Sequence, residues 1–183
     1  GPILVAHKNA SFFTIKEPLK PEDIRGKRIA IPGKLTTAYL SLQLFEKNFE
    51  ALFTPFDQIF DAVAQGKADL GLIIHEGQIT FEQLGFRHVL DLGVWWFEKH
   101  QLPLPLGMDV IRRDLGEETM RAFAAVFKES IQYALDNRAP ALEYARDFGR
   151  GISESLNDRF VGMYVNDYTV DLNEKGQVGL KTL

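Results

Sequence analysis

The run Leu70-Gly71-Leu72-Ile73-Ile74 limits what this chain can become more than any other feature of its sequence. Five consecutive residues without a polar side chain suit neither an exposed loop nor a strand with one wet face; strands buried on both faces look like this. Such a strand needs a layer above and a layer below, and its flanks offer both. Glu50 to Thr54 reads as a short strand. Pro55 then opens a segment in which Phe56, Ile59, Phe60 and Val63 keep the i, i+3, i+4, i+7 spacing of a helix with one buried face, and Gln65-Gly66 supplies the glycine expected just past a helix end. Upstream, Arg28 to Ile31 reads as a strand and Pro32-Gly33-Lys34 breaks it. Thr36-Thr37 next open a helix with Leu40 and Leu44 on one stripe and Ala38, Leu42 and Phe45 on another. Short apolar runs alternating with helical segments predict an α/β fold built on a mostly parallel sheet.

The ends of the chain extend this pattern and then abandon it. Ile3 to Ala6 reads as a strand, followed by a polar stretch up to Pro18 and a short helical turn around Pro21-Glu22-Asp23-Ile24. Arg87 to Leu92 is a further strand and Trp95 to His100 a short helix; Leu102 to Gly107 is an extended segment entering a strand at Met108 to Arg112. From Gly116 onward Met120, Phe123, Ala124, Phe127, Ile131, Ala134 and Leu135 keep helical spacing, and two shorter helices follow around Pro140 to Phe148 and Ser153 to Tyr164. No strand alternates with them. The composition shift therefore places a boundary near residues 107 to 116. Strands Ile3–Ala6 and Met108–Arg112 are expected to run side by side as entry to and exit from the α/β unit. A domain inserted between two such strands is the plan of a two-lobed binding protein.

Composition narrows the function classes. The 183 residues are 45% hydrophobic and 25% charged, enough for one good domain or two small lobes. Net charge is -4, with Lys and Arg scattered among acids rather than gathered into a stripe, so no nucleic-acid partner is expected. There is no cysteine, which excludes disulfides, zinc-thiolate sites and a thiol nucleophile. The apolar runs fall far short of the roughly 20 residues that span a bilayer, so no membrane partner is expected either.

Two places could carry chemistry. Gly33-Lys34-Leu35-Thr36-Thr37-Ala38-Tyr39 lies between a strand and a helix, where unpaired backbone N–H groups and the positive end of the helix dipole favour a carboxylate or phosphate. The competing reading is that a threonine simply caps the helix. At the second place a buried strand ends in His75-Glu76-Gly77. Ligands of open α/β sheets sit off the carboxyl ends of strands, and an imidazole there is a natural proton acceptor at neutral pH. A histidine at a strand end also serves commonly as a hydrogen-bonded structural residue. If the strand runs on through Glu76, the two side chains point to opposite faces and form no dyad. Trp95-Trp96 suits either an aromatic wall over a ligand or, more commonly, a core. His7, His88 and His100 are dispersed, no metal-ligand spacing is present, and nothing demands a cofactor.

Taken together, four segments resemble the 1,4-dihydroxy-6-naphthoate synthase family of the futalosine route to menaquinone. They are Pro32 to Tyr39, Val63 to Glu76, Asp91-Leu92-Gly93-Val94-Trp95-Trp96 and Leu102 to Gly107, and Tyr164-Val165-Asn166 adds to them. The resemblance implies a type II periplasmic-binding-protein-like fold, with residues 1–7 as a hinge strand from the first lobe, 8–107 as the α/β second lobe, and 108–183 as the return hinge strand and C-terminal helices of the first lobe. It implies a cytoplasmic, cofactor-free lyase that splits cyclic dehypoxanthine futalosine, a small carboxylate, between lobes that close on it; a homodimer is compatible. His75 matches the family's proton acceptor, and Thr36, Thr37 and Ala38 match its substrate-holding turn. Family members also begin with a segment rich in Pro, Asn, Asp and Thr, so the chain is expected to be part of a longer protein. Chorismate dehydratase, of the same pathway and fold, and a non-catalytic solute-binding protein are the alternatives; the histidine of Ile-Ile-His-Glu speaks against the dehydratase.

Overall fold

A computed structural model describes residues 1–10, 19–146 and 154–183. The end of the polar stretch before Pro18, and the expected helix boundaries at Phe148 and Ser153, lie outside the described residues. The chain divides into two compact units, Gly1–Leu106 and Gly107–Leu183.

The first unit is built on five strands: β1 (Ile3–His7), β2 (Arg28–Ile31), β3 (Glu50–Phe53), β4 (Leu70–Ile73) and β5 (Phe86–Asp91). They lie in the order β3-β2-β4-β1-β5. β2 runs parallel to both β3 and β4, whereas β1 is antiparallel to β4 and β5. The sheet is thus mostly parallel, with the first strand of the chain reversed and inserted near its centre.

Alternation along each strand sorts the core into two layers. Leu4 and Ala6 of β1, Ile29 and Ile31 of β2 and Leu70 and Leu72 of β4 pack with Ala38, Leu42 and Phe45 of α1 (Thr37–Phe45). The intervening Ile3, Val5, Ala30 and Ile73 pack on the other side with Ile59, Ala62 and Val63 of α2 (Ile59–Ala64). Of the two stripes expected on α1, the Ala38-Leu42-Phe45 stripe is buried, while Leu40 and Leu44 stay partly in water. Gly71 makes the second layer possible: a Cβ there would stand 2.7 Å from Ile59 Cγ2, so α2 lies directly on the strand backbone.

A short α3 (Gly77–Thr80) follows β4, and α4 (Leu92–His100) follows β5. Asp91 caps α4 by accepting the Gly93 and Val94 N–H groups at 2.7 and 3.1 Å. The tryptophans of α4 are structural. Trp96 is buried with its indole N–H donating to the Pro103 carbonyl at 3.2 Å, and Trp95 lies edge-on to Phe45 under the Lys99 ammonium.

The second unit is helical: a 3-10 turn (Arg113–Leu115), then α5 (Glu117–Asp136), α6 (Arg138–Arg146), α7 (Glu154–Tyr164), α8 (Asp167–Val170) and α9 (Asn173–Thr182). It has no strand among the described residues. Met108–Arg112, expected as a strand, forms no regular structure. The physical reason lies in burial: Met108 and Val110 are 58% and 92% exposed, and both edges of β1 are already taken by β4 and β5. The side-by-side pairing expected of Ile3–Ala6 and Met108–Arg112 is therefore replaced by β1 in the sheet interior. α5 carries its apolar spacing as anticipated, yet none of its residues is buried. No helix among the described residues is long and apolar enough to cross a membrane.

Candidate functional site

β2 and β4 are parallel neighbours, with Ile29 opposite Leu70 and Ala30 opposite Gly71. The turn leaving β2 and the turn leaving β4 consequently open on the same edge of the sheet, although they are far apart in sequence. This is how Thr36 and His75 come to share the carboxyl edge, where ligands of such sheets bind.

The turn after β2 is closed by its own hydroxyls. Thr36 is the N-cap of α1: its Oγ1 accepts the Tyr39 N–H at 3.2 Å and donates to the Gly33 carbonyl at 2.9 Å. Capping, one of the two readings open from sequence, is therefore what Thr36 does here. Thr37 Oγ1 donates to the Leu106 carbonyl at 2.9 Å, tying the start of α1 to the extended segment after α4. The Ala38 methyl belongs to the core and is 2% exposed, so a guest could meet only its main chain. Helix geometry supplies the remaining donors: the Thr37 and Ala38 amides open the helix and have no carbonyl one turn earlier within it.

The turn after β4 is tighter than sequence suggested. The strand stops at Ile73, and Glu76 is already helical at φ -53°, ψ -21°. The opposite-face argument depended on a strand running through Glu76, and that condition is not met. The Glu76 carboxylate instead lies 3.8 Å from His75 Nδ1, with both side chains 18% exposed. Nδ1 itself accepts the Gly77 N–H at 3.0 Å. Gln78 braces the turn from within, its buried side-chain amide donating to the Ile73 carbonyl at 3.1 Å.

The ring of His75 is stowed rather than open. It stands edge-on to Phe56 and Phe60, with centroids 5.8 and 5.9 Å away, and Nε2 is buried. Gly77 is required for this packing, because a Cβ there would fall 2.5 Å from Phe60 Cε2 and 2.7 Å from His75 Cε1. Phe56, Phe60 and Gln78 are site residues that sequence reasoning missed. The signal was present for two of them, since Phe56 and Phe60 sit on the helical face read as buried; nothing in the periodicity aimed that face at His75. Among the described residues no group of three or more His, Asp or Glu could hold a metal ion.

A family model described as menaquinone biosynthesis matches residues 3–183. A protein of Thermus thermophilus named 1,4-dihydroxy-6-naphthoate synthase is 39% identical over 97% of this chain and 61% of its own length. One of the same name from Streptomyces coelicolor is 32% identical over 88% of the chain and 59% of its own length. The chain thus spans about three fifths of the curated relatives it matches. Among solved structures, a protein of Archaeoglobus fulgidus aligns with TM-score 0.87 at 44% identity, covering 99% of this chain and 64% of that one. The alkanesulfonate-binding protein of Xanthomonas axonopodis pv. citri aligns with TM-score 0.62 at 14% identity over 87% of this chain and 54% of its own, a likeness of periplasmic-binding-protein fold alone.

Proposed function

This chain belongs to the menaquinone biosynthesis family, and on that premise we propose that it serves as a 1,4-dihydroxy-6-naphthoate synthase, a cofactor-independent lyase that cleaves cyclic dehypoxanthine futalosine. The observation that carries the reading is that His75 follows β4 at the carboxyl edge shared with β2, the parallel neighbour whose turn leads into α1. The names of the two curated relatives support it. His75 is the general base, removing a substrate proton to start the fragmentation, a role that needs approach to about 3 Å and a neutral imidazole. The Thr37 and Ala38 amides at the start of α1, with the Thr36 cap behind them, hold the substrate's carboxylate. The reaction takes place in the cytoplasm.

The stowed ring adds a condition to this mechanism. Nδ1 is engaged by the Gly77 amide and Nε2 is buried, so the imidazole turns away from Phe56 and Phe60 when substrate binds. The experiment is to incubate the protein and its His75→Ala variant with cyclic dehypoxanthine futalosine and measure the dihydroxynaphthoate formed. The variant is expected to lose about 10²- to 10⁴-fold in rate while melting at the same temperature as the parent. Undiminished turnover by the variant removes His75 from the chemistry. A sulfonate-type solute-binding role rests on fold likeness only, and fold does not decide function.

A further inference from the structure

The turn after β4 holds two competing partners for one ring nitrogen. His75 Nδ1 accepts the Gly77 N–H at 3.0 Å, and the Glu76 carboxylate waits 3.8 Å from the same atom. A neutral imidazole has one proton, and the hydrogen bond made at one nitrogen decides which nitrogen carries it. With the Gly77 amide donating to Nδ1, the proton must sit on Nε2. Nε2 is then a donor, unable to accept a proton from anything.

We propose that Glu76 is the positioning residue that turns His75 from a hydrogen-bond donor into a proton acceptor. The exchange is balanced: the ring proton leaves Nε2, Nδ1 gains one, and Nδ1–H donates to the Glu76 carboxylate in place of the bond from Gly77. The net charge of the pair is unchanged. A charge-assisted N–H···O⁻ bond is roughly twice as strong as the neutral amide bond it replaces, and the half-buried setting of both side chains keeps water from screening it fully. With the ring as it stands the carboxylate itself moves little, having only to close from 3.8 Å to ordinary hydrogen-bond distance. The local backbone is built for this: the strand stops at Ile73, and the immediate helical turn at Glu76 brings a sequence neighbour onto the same side as His75. Had β4 continued two residues further, the carboxylate would face the opposite side of the sheet.

The proposal deepens the general-base reading and rests on it for its purpose, yet its central statement concerns a tautomer and can be tested without turnover. ¹⁵N NMR of labelled histidine, recorded at alkaline pH where the ring is neutral and with the His75 signal assigned by His75→Gln, reports the population protonated at each nitrogen. The parent chain should carry a measurable share of the Nδ1–H form. Glu76→Gln should move the averaged shifts toward Nε2–H alone, and Glu76→Asp should restore part of the Nδ1–H share. Identical tautomer populations in parent and Glu76→Gln overturn the proposal. As a second readout, Glu76→Gln should lower kcat by about tenfold or more with KM little altered; an unchanged kcat in an active protein also overturns it. A tautomer shift in a protein that forms no product, with or without Glu76, supports the positioning role and counts against the lyase reading alone.

Discussion

Glu46 shows how much one side chain can hold in this fold. Its carboxylate is almost wholly covered, accepting the Asn48 N–H at 2.8 Å through one oxygen and the Arg25 guanidinium at 2.6 Å through the other. The Asn48 amide first, and Arg25 after it, hold its pKa below the usual carboxylate value. A carboxylate with a depressed folded-state pKa stabilises the protein above its unfolded pKa, and that stabilisation is lost as pH falls through the folded value. Glu46→Gln should therefore lower Tm at neutral pH, and the gap to the parent should close as pH is taken down through the mid-acid range; a gap that stays constant into acid would show that the charge is not what matters. At the other end of α1, Thr37→Val removes the donor to the Leu106 carbonyl. The expected cost is about 1 kcal/mol by urea denaturation, together with weaker binding of the proposed carboxylate substrate. A loss of stability with affinity unchanged confines the Thr37 hydroxyl to a structural role and leaves the main-chain amide as the group proposed to meet the substrate.

Strands and helices differ in how far they can be read from composition. β4 was legible because its residues are buried on both faces, and the two stripes of α1 were legible because helical spacing repeats. What a stripe touches is not encoded in its period, so Phe56 and Phe60 could be called buried but not placed beside His75. Direction is equally silent: Ile3–His7 has the same apolar pattern whether it runs with β4 or against it, and only the structure shows it antiparallel. α3 spans four residues, too few to show a period, and the place where β4 stops decides whether His75 and Glu76 meet. Met108–Arg112 misled because a short apolar run reads as a strand even when no neighbouring edge is open to it. At the level of packing, Gly71→Ala should be costly although it adds a single methyl. The new Cβ would sit 2.7 Å from Ile59 Cγ2 and 3.2 Å from Val63 Cγ2, so α2 must lift from the sheet. Overpacking of this kind costs about 1–3 kcal/mol, and urea denaturation of the variant measures it; a loss below a few tenths would mean that α2 yields freely.

The molecule as a whole is two units with unequal cores. The first encloses β1, β2 and β4 between two apolar layers, whereas the longest helix of the second has no buried residue. Protection from solvent exchange follows buried contact, so amides of β1 and β4 should exchange at rates near those of global unfolding and those of α5 much faster. Equal protection in α5 would show that its apolar stripe is covered in solution. The reversed strand has a consequence of another kind. β1 precedes both of its neighbours in the chain, and they arrive only after Leu70 and then Phe86 have been added. Until then an apolar segment destined for the middle of the sheet has nothing to pair with, and closing the long loops back to it makes its docking a slow step of assembly. Chaperone capture during synthesis should accordingly concentrate on Ile3–His7 and end once β5 has emerged.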